Sequence, residues 1–299
     1  PSMKPSDKAC AISAGSRARI SPPVLDGDIL ALDPAEIEGQ NIAIEYRWAA
    51  GKRDRYPVMA EELVRLKVDL IVAATPPAIR AAKNATRTIP IVMLSASNAV
   101  ETGLVASLAQ PGGNVTGMAT QSSEIRAKLL ELLHETLPKV TRVALLTGDP
   151  TSHRRLHATA QALGLTIQSF VGRSREESER ALKAAAQEQP GALLVPGSRH
   201  SRLRRQIAEF AAKNGVPVFS ENWPLVEKHF GLLGYGPDWV DMYRRAPTYV
   251  DKILKGAKPS DLPVRLPVKF TLVINLKVAK QLGITIPPEV LYQATKVIK

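Results

Sequence analysis

The sequence predicts an α/β protein built from two halves, each around a parallel sheet, and three observations support this prediction. From residue 42 onward, short apolar runs alternate with amphipathic stretches, which is the pattern of strands connected by helices. Every run is followed by small, proline or polar residues, as expected where a strand ends. The chain has 299 residues, which at about 150 residues per domain suggests two domains.

The predicted strands are short runs rich in Val, Ile and Leu. They lie at 42–48, 69–73, 89–94, 115–120, 142–146, 165–170, 192–196, 216–220, 232–235 and 269–275. Helices are predicted between them, where apolar residues recur at i, i+3, i+4 and i+7, most clearly at 56–66 and 123–137. The run at 9–13 is the candidate for a first strand, although three prolines within 21–37 leave no clear crossover helix after it.

The middle of the chain carries the clearest boundary. Pro111, Gly112 and Gly113 cannot continue a helix, so the first half is expected to end there and the strand at 115–120 to cross over. A further strand, loop and helix begin near residue 231 and exceed what the second sheet needs, which predicts a return to the first half. The predicted division is therefore 1–118 with 232–264, and 119–231 with 265–299.

Composition excludes several classes of protein. The single cysteine, Cys10, rules out a disulfide within the chain and a cysteine-cluster zinc site. No apolar run approaches the roughly 18 to 20 residues that span a bilayer. The first 40 residues lack the apolar segment of a secretory signal.

The net charge of +12 raises the question of a nucleic-acid partner. The distribution of the charges argues against one, because acidic residues interleave with the basic ones in segments such as 173–180. The densest basic cluster, at 198–205, lacks the aromatic side chains of a platform for single strands. We therefore expect no nucleic-acid partner.

Ligands of open parallel sheets lie beyond the carboxyl ends of the strands, where loops and helix N-termini present free N–H groups. Five such loops are small or polar here. Their candidate residues are Thr75, Pro76, Ser95, Ser97 and Asn98 in the first half, and Gly148, Asp149, Gly197, Ser198, Arg199, Glu221, Asn222 and Trp223 in the second. Any one loop is explained as well by helix capping, but five together, facing one cleft, favour a ligand site.

The chemistry of these residues suits holding a ligand. Arg199 could clamp a carboxylate, and Glu221 or Asp149 could pair with an ammonium group. Trp223 and Tyr235 offer flat faces to a ring. The alternative for both aromatic residues is packing in a hinge or core.

Catalytic and metal-binding motifs are weak. The sequence has no GxxxxGK[ST] loop, no GxGxxG after a strand and no GxSxG elbow. His153 and His157 share a helix face at i, i+4, but two arginines lie between them and no carboxylate or thiolate flanks them, so a solvated face is the better interpretation. We expect no enzymatic activity, no metal and no cofactor.

Long segments of the chain resemble the solute-binding proteins of ABC-type importers, in particular the tryptophan/tyrosine-type group. These segments are 38–92, 103–117, 234–264 and 269–291. The resemblance implies the type I periplasmic binding protein fold, with two Rossmann-like lobes joined by a three-stranded hinge and a ligand enclosed between them. It further implies a periplasmic, monomeric protein that captures an aromatic amino acid or an aromatic or carboxylic acid and delivers it to an ABC permease.

Two departures from the family pattern bear on function. Ser198 and Arg199 replace the acidic residue that usually follows the Val-Pro-Gly of the second lobe, which would favour an anionic ligand over a zwitterion. The family's signal peptide, first strand and first helix are not recognisable, although residues 12–16 stand at the distance expected for the first ligand loop, which adds Ser13 and Ser16 to the candidates. The alternative function is a ligand-sensing or regulatory protein on the same fold; transcriptional versions carry a helix-turn-helix before the lobes, and nothing in residues 1–40 supplies one.

Overall fold

The computed structural model describes residues 8–14, 42–49, 52, 54–148, 154–197, 203–228 and 230–299. Along the chain the elements are β1 (Lys8–Ala14), β2 (Ile42–Trp48), α1 (Arg55–Arg65), β3 (Leu70–Ala73), α2 (Pro76–Ala85), β4 (Ile91–Ser97), β5 (Val115–Thr120), α3 (Ser122–Thr136), β6 (Arg142–Thr147), α4 (Arg154–Ala162), β7 (Thr166–Val171), α5 (Arg175–Gln187), β8 (Ala192–Val195), α6 (Arg204–Asn214), β9 (Val218–Ser220), α7 (Trp223–Lys228), β10 (Leu233–Pro237), α8 (Trp239–Leu254), β11 (Phe270–Asn275), α9 (Leu276–Gln281), α10 (Pro288–Tyr292) and β12 (Lys296–Ile298). This order confirms the predicted α/β class.

The chain divides into two compact units. Unit 1 comprises the residues up to Gln121 together with Pro237–Lys269, and unit 2 comprises Ser122–Gly236 together with Phe270–Lys299. The chain therefore passes from one unit to the other three times. The sequence-based division put these points at 118, 231 and 264.

The sheet of unit 1 has the strand order β2-β1-β3-β4-β5. Strands β3, β4 and β5 are parallel neighbours, as predicted. Strand β1 is antiparallel to both β2 and β3, which differs from the expected all-parallel sheet. An apolar run predicts a strand but not its direction, because parallel and antiparallel ladders satisfy the same backbone groups.

Two apolar clusters cover the two faces of this sheet, since successive side chains of a strand point to opposite sides. In β3, Ile71 belongs to the cluster formed with α1 and α2, whereas Leu70 and Val72 belong to the cluster that includes Met242 and Val250 of α8. All three β3 residues are almost fully buried. The sheet is thus covered on both faces, as parallel sheets require.

The sheet of unit 2 has the order β12-β11-β10-β9-β8-β6-β7. The strand pairs from β7 to β10 are parallel, and so is the pair of β11 with β12. Two backbone hydrogen bonds, from Asp238 N to Lys269 O and from Asn275 N to Leu232 O, run in the sense of an antiparallel pair of β10 and β11. The short strand β12 was not predicted.

Alternating residues again divide between two clusters in unit 2. Leu145 and Leu194 face one cluster, and Leu146 and Leu193 face the other. Each unit therefore has its own core. Within the part of the chain that the structure describes, no helix is both long and apolar enough to cross a membrane.

Candidate ligand-binding loops

The carboxyl edge of the unit 2 sheet gathers several of the predicted residues. Strands β6, β8 and β9 are parallel neighbours, so the loops after them lie at one edge of the sheet. Gly148 follows β6, Gly197 lies two residues after β8, and Glu221 and Asn222 follow β9 directly. These residues therefore lie in one neighbourhood, as their positions at strand ends predict. Asp149, Ser198 and Arg199 lie outside the described residues.

A buried ion pair stands at this edge. Arg126 of α3 donates from Nε to Glu221 Oε2 at 2.9 Å and from Nη2 to Glu221 Oε1 at 3.3 Å. The two side chains are only 15% and 10% exposed. A bidentate hydrogen bond of this kind between a guanidinium and a carboxylate is a strong, geometrically specific interaction.

This pair adds a partner that the sequence did not indicate for Glu221. The sequence suggests that Glu221 or Asp149 could pair with an ammonium group of a ligand, and both oxygens of Glu221 accept hydrogen bonds from Arg126. The negative charge of Glu221 is therefore compensated within unit 2, although each oxygen keeps a second acceptor site. Arg126 was not among the predicted residues, because the sequence shows it only as one cation in an amphipathic helix.

Glycines hold the Glu221 backbone and side chain in place. Gly197 has φ +74°, and a Cβ there would lie 3.2 Å from Glu221 Oε1. A Cβ at Gly236 would lie 2.3 Å from the carbonyl oxygen of Glu221, which is too close for any side chain. Ser220 supports the same turn, since its hydroxyl donates to Val195 O and accepts from Asn222 N, both at 3.1 Å.

The two predicted aromatic residues differ in their surroundings. The ring of Tyr235 stacks on Phe270 with centroids 5.6 Å apart and planes at 12°, and Tyr235 packs against a core cluster of unit 2. Burial, with a smaller contribution from Glu131, raises the pKa of Tyr235. One face of Tyr235 is thus covered by Phe270, which favours the packing alternative. Trp223 begins α7 and is half-buried.

The carboxyl edge of the unit 1 sheet carries the second group. Thr75 lies two residues after β3. Ser95 and Ser97 belong to the last three residues of β4, where the register against β5 shifts between Met93 and Ala96. Ser95 and Ser97 are half-buried, and their hydroxyls form no hydrogen bond with another described residue. Hydroxyls of this kind are available to a ligand.

Asn98 is committed to a turn. It has φ +49°, in the left-handed region that asparagine tolerates better than most residues. Its backbone N–H donates to Thr120 O at 2.8 Å, and its Nδ2 donates to Glu101 Oε2 at 3.0 Å. Asn98 therefore shapes the loop after β4.

Thr75 has an unsatisfied buried hydroxyl. Its Oγ1 has no hydrogen-bond partner among the described residues and is shielded from solvent. Thr75 is the N-cap residue of α2, yet its side chain makes no capping bond, so the capping explanation does not account for this residue. The next two residues, Pro76 and Pro77, have no N–H to offer, and the N–H of Ile79 already bonds Thr75 O at 2.9 Å. A buried unpaired hydroxyl of this kind needs an explanation.

The first-loop candidates are not supported by position. Ser13 of β1 lies opposite Ala43, near the start of β2. Because β1 runs antiparallel to its neighbours, its carboxyl end lies at the amino edge of the sheet, away from Thr75. The prediction that Ser13 joins the other ligand loops is therefore corrected, and Ser16 lies outside the described residues.

No group of three or more potential metal ligands is present among the described residues. His157 is exposed on α4, and its predicted partner on the same face, His153, is outside the described part of the chain.

Comparison with known proteins identifies the family. The model of the ABC transporter substrate binding protein family matches residues 21–298. The chain belongs to this family. As an ABC transporter substrate-binding protein, it has the type I periplasmic binding protein fold implied by the sequence resemblance, and that resemblance is confirmed.

Individual relatives support the assignment. A tyrosine-binding protein of Clostridioides difficile is 28% identical over 263 residues, which cover 86% of this chain and 75% of that protein. A structure of an ABC domain from Streptococcus pneumoniae in complex with L-Trp is 28% identical, with a TM-score of 0.77 over 83% of this chain and 87% of the other. A conserved domain protein of Vibrio cholerae is 29% identical, with a TM-score of 0.81 over 87% and 88% of the two chains.

Proposed function

We propose that this substrate-binding protein works outside the cytoplasm, in the periplasm, as the ligand-capturing component of an ABC importer. Its ligand is an aromatic amino acid, tryptophan or tyrosine, and it delivers that ligand as a monomer to a membrane permease without altering it. The likeness to a tyrosine-binding protein and to an L-Trp complex, each over more than four-fifths of this chain, carries the proposal.

The carboxyl-edge loops are the proposed ligand contacts. In unit 1 these are the residues around Thr75 and Ser95–Asn98. In unit 2 they are the loops after β6, β8 and β9, with Trp223 as the aromatic contact and Tyr235 assigned to packing. Asp149, Ser198 and Arg199 remain predictions of the sequence. The buried, unpaired hydroxyl of Thr75 is the strongest local support, because a ligand's polar group would satisfy it.

Isothermal titration calorimetry tests the ligand class. L-Trp, L-Tyr and L-Phe are titrated beside L-Ala and the anions benzoate and 4-hydroxybenzoate. We expect saturable binding of L-Trp or L-Tyr and none of L-Ala. Preferential binding of the anions would instead support the role predicted for Ser198 and Arg199. Flat heats for every aromatic compound, with protein folded by circular dichroism, would reject the proposal.

Thr75→Val tests the proposed contact. This variant keeps the shape of the side chain and removes a hydroxyl that is unpaired in the free protein. The free energy of unfolding should therefore stay the same or rise by about 1 kcal/mol. Affinity for the aromatic amino acid should fall at least about fivefold, the equivalent of one lost hydrogen bond of about 1 kcal/mol.

Thr86→Val is the matched control. Thr86 Oγ1 accepts hydrogen bonds from Thr88 N at 3.2 Å and Ile89 N at 3.1 Å, so its loss should destabilise the protein by about 1–2 kcal/mol. Affinity for the ligand should not change, because Thr86 lies at the end of α2 away from the β3 loop. Unchanged affinity in Thr75→Val would remove Thr75 from the site while leaving the ligand class standing.

A further inference from the structure

Unit 1 contains a cavity that is separate from the carboxyl-edge loops. It lies between α8 and the segment 262–268, and its volume is about 590 Å³. Pockets that bind small molecules typically measure roughly 300–1,000 Å³. None of the residues proposed to hold the amino acid lines it.

One stripe of α8 forms the first wall. Arg245, Thr248, Tyr249 and Lys252 stand at i, i+3, i+4 and i+7, and therefore share a face of the helix. Tyr249 is buried, and its hydroxyl donates to Pro263 O at 2.7 Å, which ties the helix to the facing segment. The wall is thus fixed in the free protein.

The segment 262–268 forms the second wall and is held by backbone hydrogen bonds. Arg265 N donates to Gly117 O, and Arg265 O accepts from Ala119 N, both at 3.0 Å. Val264 N donates to Leu108 O at 2.7 Å. Both edges of the segment are therefore fastened to the body of unit 1, so the cavity exists before any ligand binds.

The interior of the cavity is aliphatic. Leu262 and Leu266 are half-buried and supply its apolar surface, and the fully buried Met118 packs behind them in the core. Val268 stands at the rim with 65% of its surface exposed. Exposed apolar side chains beside a concave apolar surface favour a ligand that has an apolar body.

The charge of the lining is positive. Arg245, Lys252 and Arg265 are its three cations, and no carboxylate lines the cavity. Asp241 pairs with Arg245 at 2.9 Å but is shared with Lys269 at 3.2 Å. Lys252 and Arg265 form no ion pair with any described residue. The positive charge is therefore under-compensated.

The cations lie on both walls of the cavity. Arg245 and Lys252 stand on α8 and Arg265 stands on the facing segment, and all three line the cavity. Burial raises the pKa of Tyr249, and the charges of Arg265 and Arg245 oppose that rise. Guanidinium groups on both walls of an aliphatic cavity suit a carboxylate at the end of a hydrocarbon chain.

We propose that this cavity of unit 1 binds a small amphiphilic anion, an aliphatic carboxylate whose chain lies against Leu262 and Leu266 and whose head group is held by Arg245, Lys252 and Arg265. The site is independent of the proposed amino-acid site. It would allow a fatty-acid-like molecule to bind the protein while the carboxyl-edge loops keep their own ligand.

The test uses the full chain and decanoate below its micellar concentration, followed by isothermal titration calorimetry. We expect one saturable site per chain and at least tenfold weaker binding of decan-1-ol, which has the same chain without the charge. The double variant Arg245→Gln/Lys252→Gln should bind decanoate at least tenfold more weakly. The matched control Arg244→Gln/Lys258→Gln loses the same charge at exposed positions outside the lining and should bind normally.

Thr248→Trp tests the location. Thr248 is exposed, so folding should tolerate the large side chain, which circular dichroism verifies, while the indole fills the cavity and should abolish binding. The proposal is overturned by the absence of saturable decanoate binding, by equal weakening in the control pair, or by normal binding in Thr248→Trp. Titrations repeated with saturating L-Trp and with L-Tyr should give unchanged decanoate affinity. Competition would assign decanoate to the amino-acid site and overturn the proposed site in the cavity of unit 1.

Discussion

At the scale of single residues, the buried ion pair of Arg126 and Glu221 stabilises the carboxyl edge of the unit 2 sheet. Replacing Arg126 by Met would leave the Glu221 carboxylate buried without a counter-charge. We expect the free energy of unfolding to fall by about 3 kcal/mol, because an unpaired buried charge costs more than the pair contributes. Urea denaturation followed by circular dichroism measures this loss.

An exposed pair provides the control for this prediction. Arg155 and Glu124 lie 3.4 Å apart with side chains 62% and 50% exposed, so Arg155→Met should cost less than about 1 kcal/mol. The double variant Arg126→Met/Glu221→Met should recover most of the lost stability. An equal loss in Arg126→Met and Arg155→Met would contradict the view that the buried pair organises this edge.

The same pair shows how far single residues can be predicted. Glu221 was identified because it directly follows an apolar run, and strand ends are visible in a sequence. Arg126 lies 95 positions away in the chain and occupies a polar position of an amphipathic helix, where a cation needs no explanation. Its importance comes from tertiary contact, which periodicity does not encode.

At the scale of elements, β10 approaches its neighbours so closely that two of its five residues must be glycine. A Cβ at Gly236 would lie 2.3 Å from Glu221 O, and one at Gly234 would lie 2.7 Å from Trp223 Cα. We expect Gly236→Ala to lower the free energy of unfolding by about 1–3 kcal/mol, because backbone must move to admit the methyl group. Differential scanning calorimetry gives the change.

Gly113→Ala is the matched control, since a Cβ there meets nothing within 4 Å and the residue is exposed. Its effect should stay within about 0.5 kcal/mol. A melting temperature for Gly236→Ala that equals the wild-type value would show that β10 and the Glu221 turn are less tightly joined than the distances indicate.

Elements were predictable to different degrees. Strands β2 and β5 have the predicted bounds, because their apolar runs are flanked by clear breaks. The direction of β1 was not predictable, because it depends on the strands with which this apolar run pairs. Since β1 is antiparallel to β3, Ser13 lies at the amino edge of the sheet and not at the carboxyl edge. Strand β12 has only three residues, too few to show a period.

At the scale of the whole molecule, two features could be inferred from the sequence and one could not. The α/β class and the family follow from the alternation of elements and from long matching segments. The cavity of unit 1 did not follow, because α8 and the segment 262–268 form it from residues that each look like ordinary surface or core positions. The cavity and its positively charged, aliphatic lining become visible only when α8 and the segment 262–268 are placed side by side in the structure.

The net charge of +12 leads to the last prediction. A net positive charge attracts a protein to the phosphates of duplex DNA at low salt. Several cations are, however, paired with carboxylates on their own helices, as Arg175 is with Glu179 and Arg205 with Glu209. Such pairing lowers the positive charge of these helix surfaces. We therefore expect only weak binding to a labelled duplex, independent of its sequence and lost by about 0.15 M salt, where charges are screened beyond about 8 Å.

Fluorescence anisotropy measures this binding, with the aromatic amino acid titrated under the same conditions as a salt-insensitive reference. Saturable, sequence-dependent binding that persists at this salt concentration would favour a regulatory protein over a transport component, because phosphate attraction without base recognition cannot produce it.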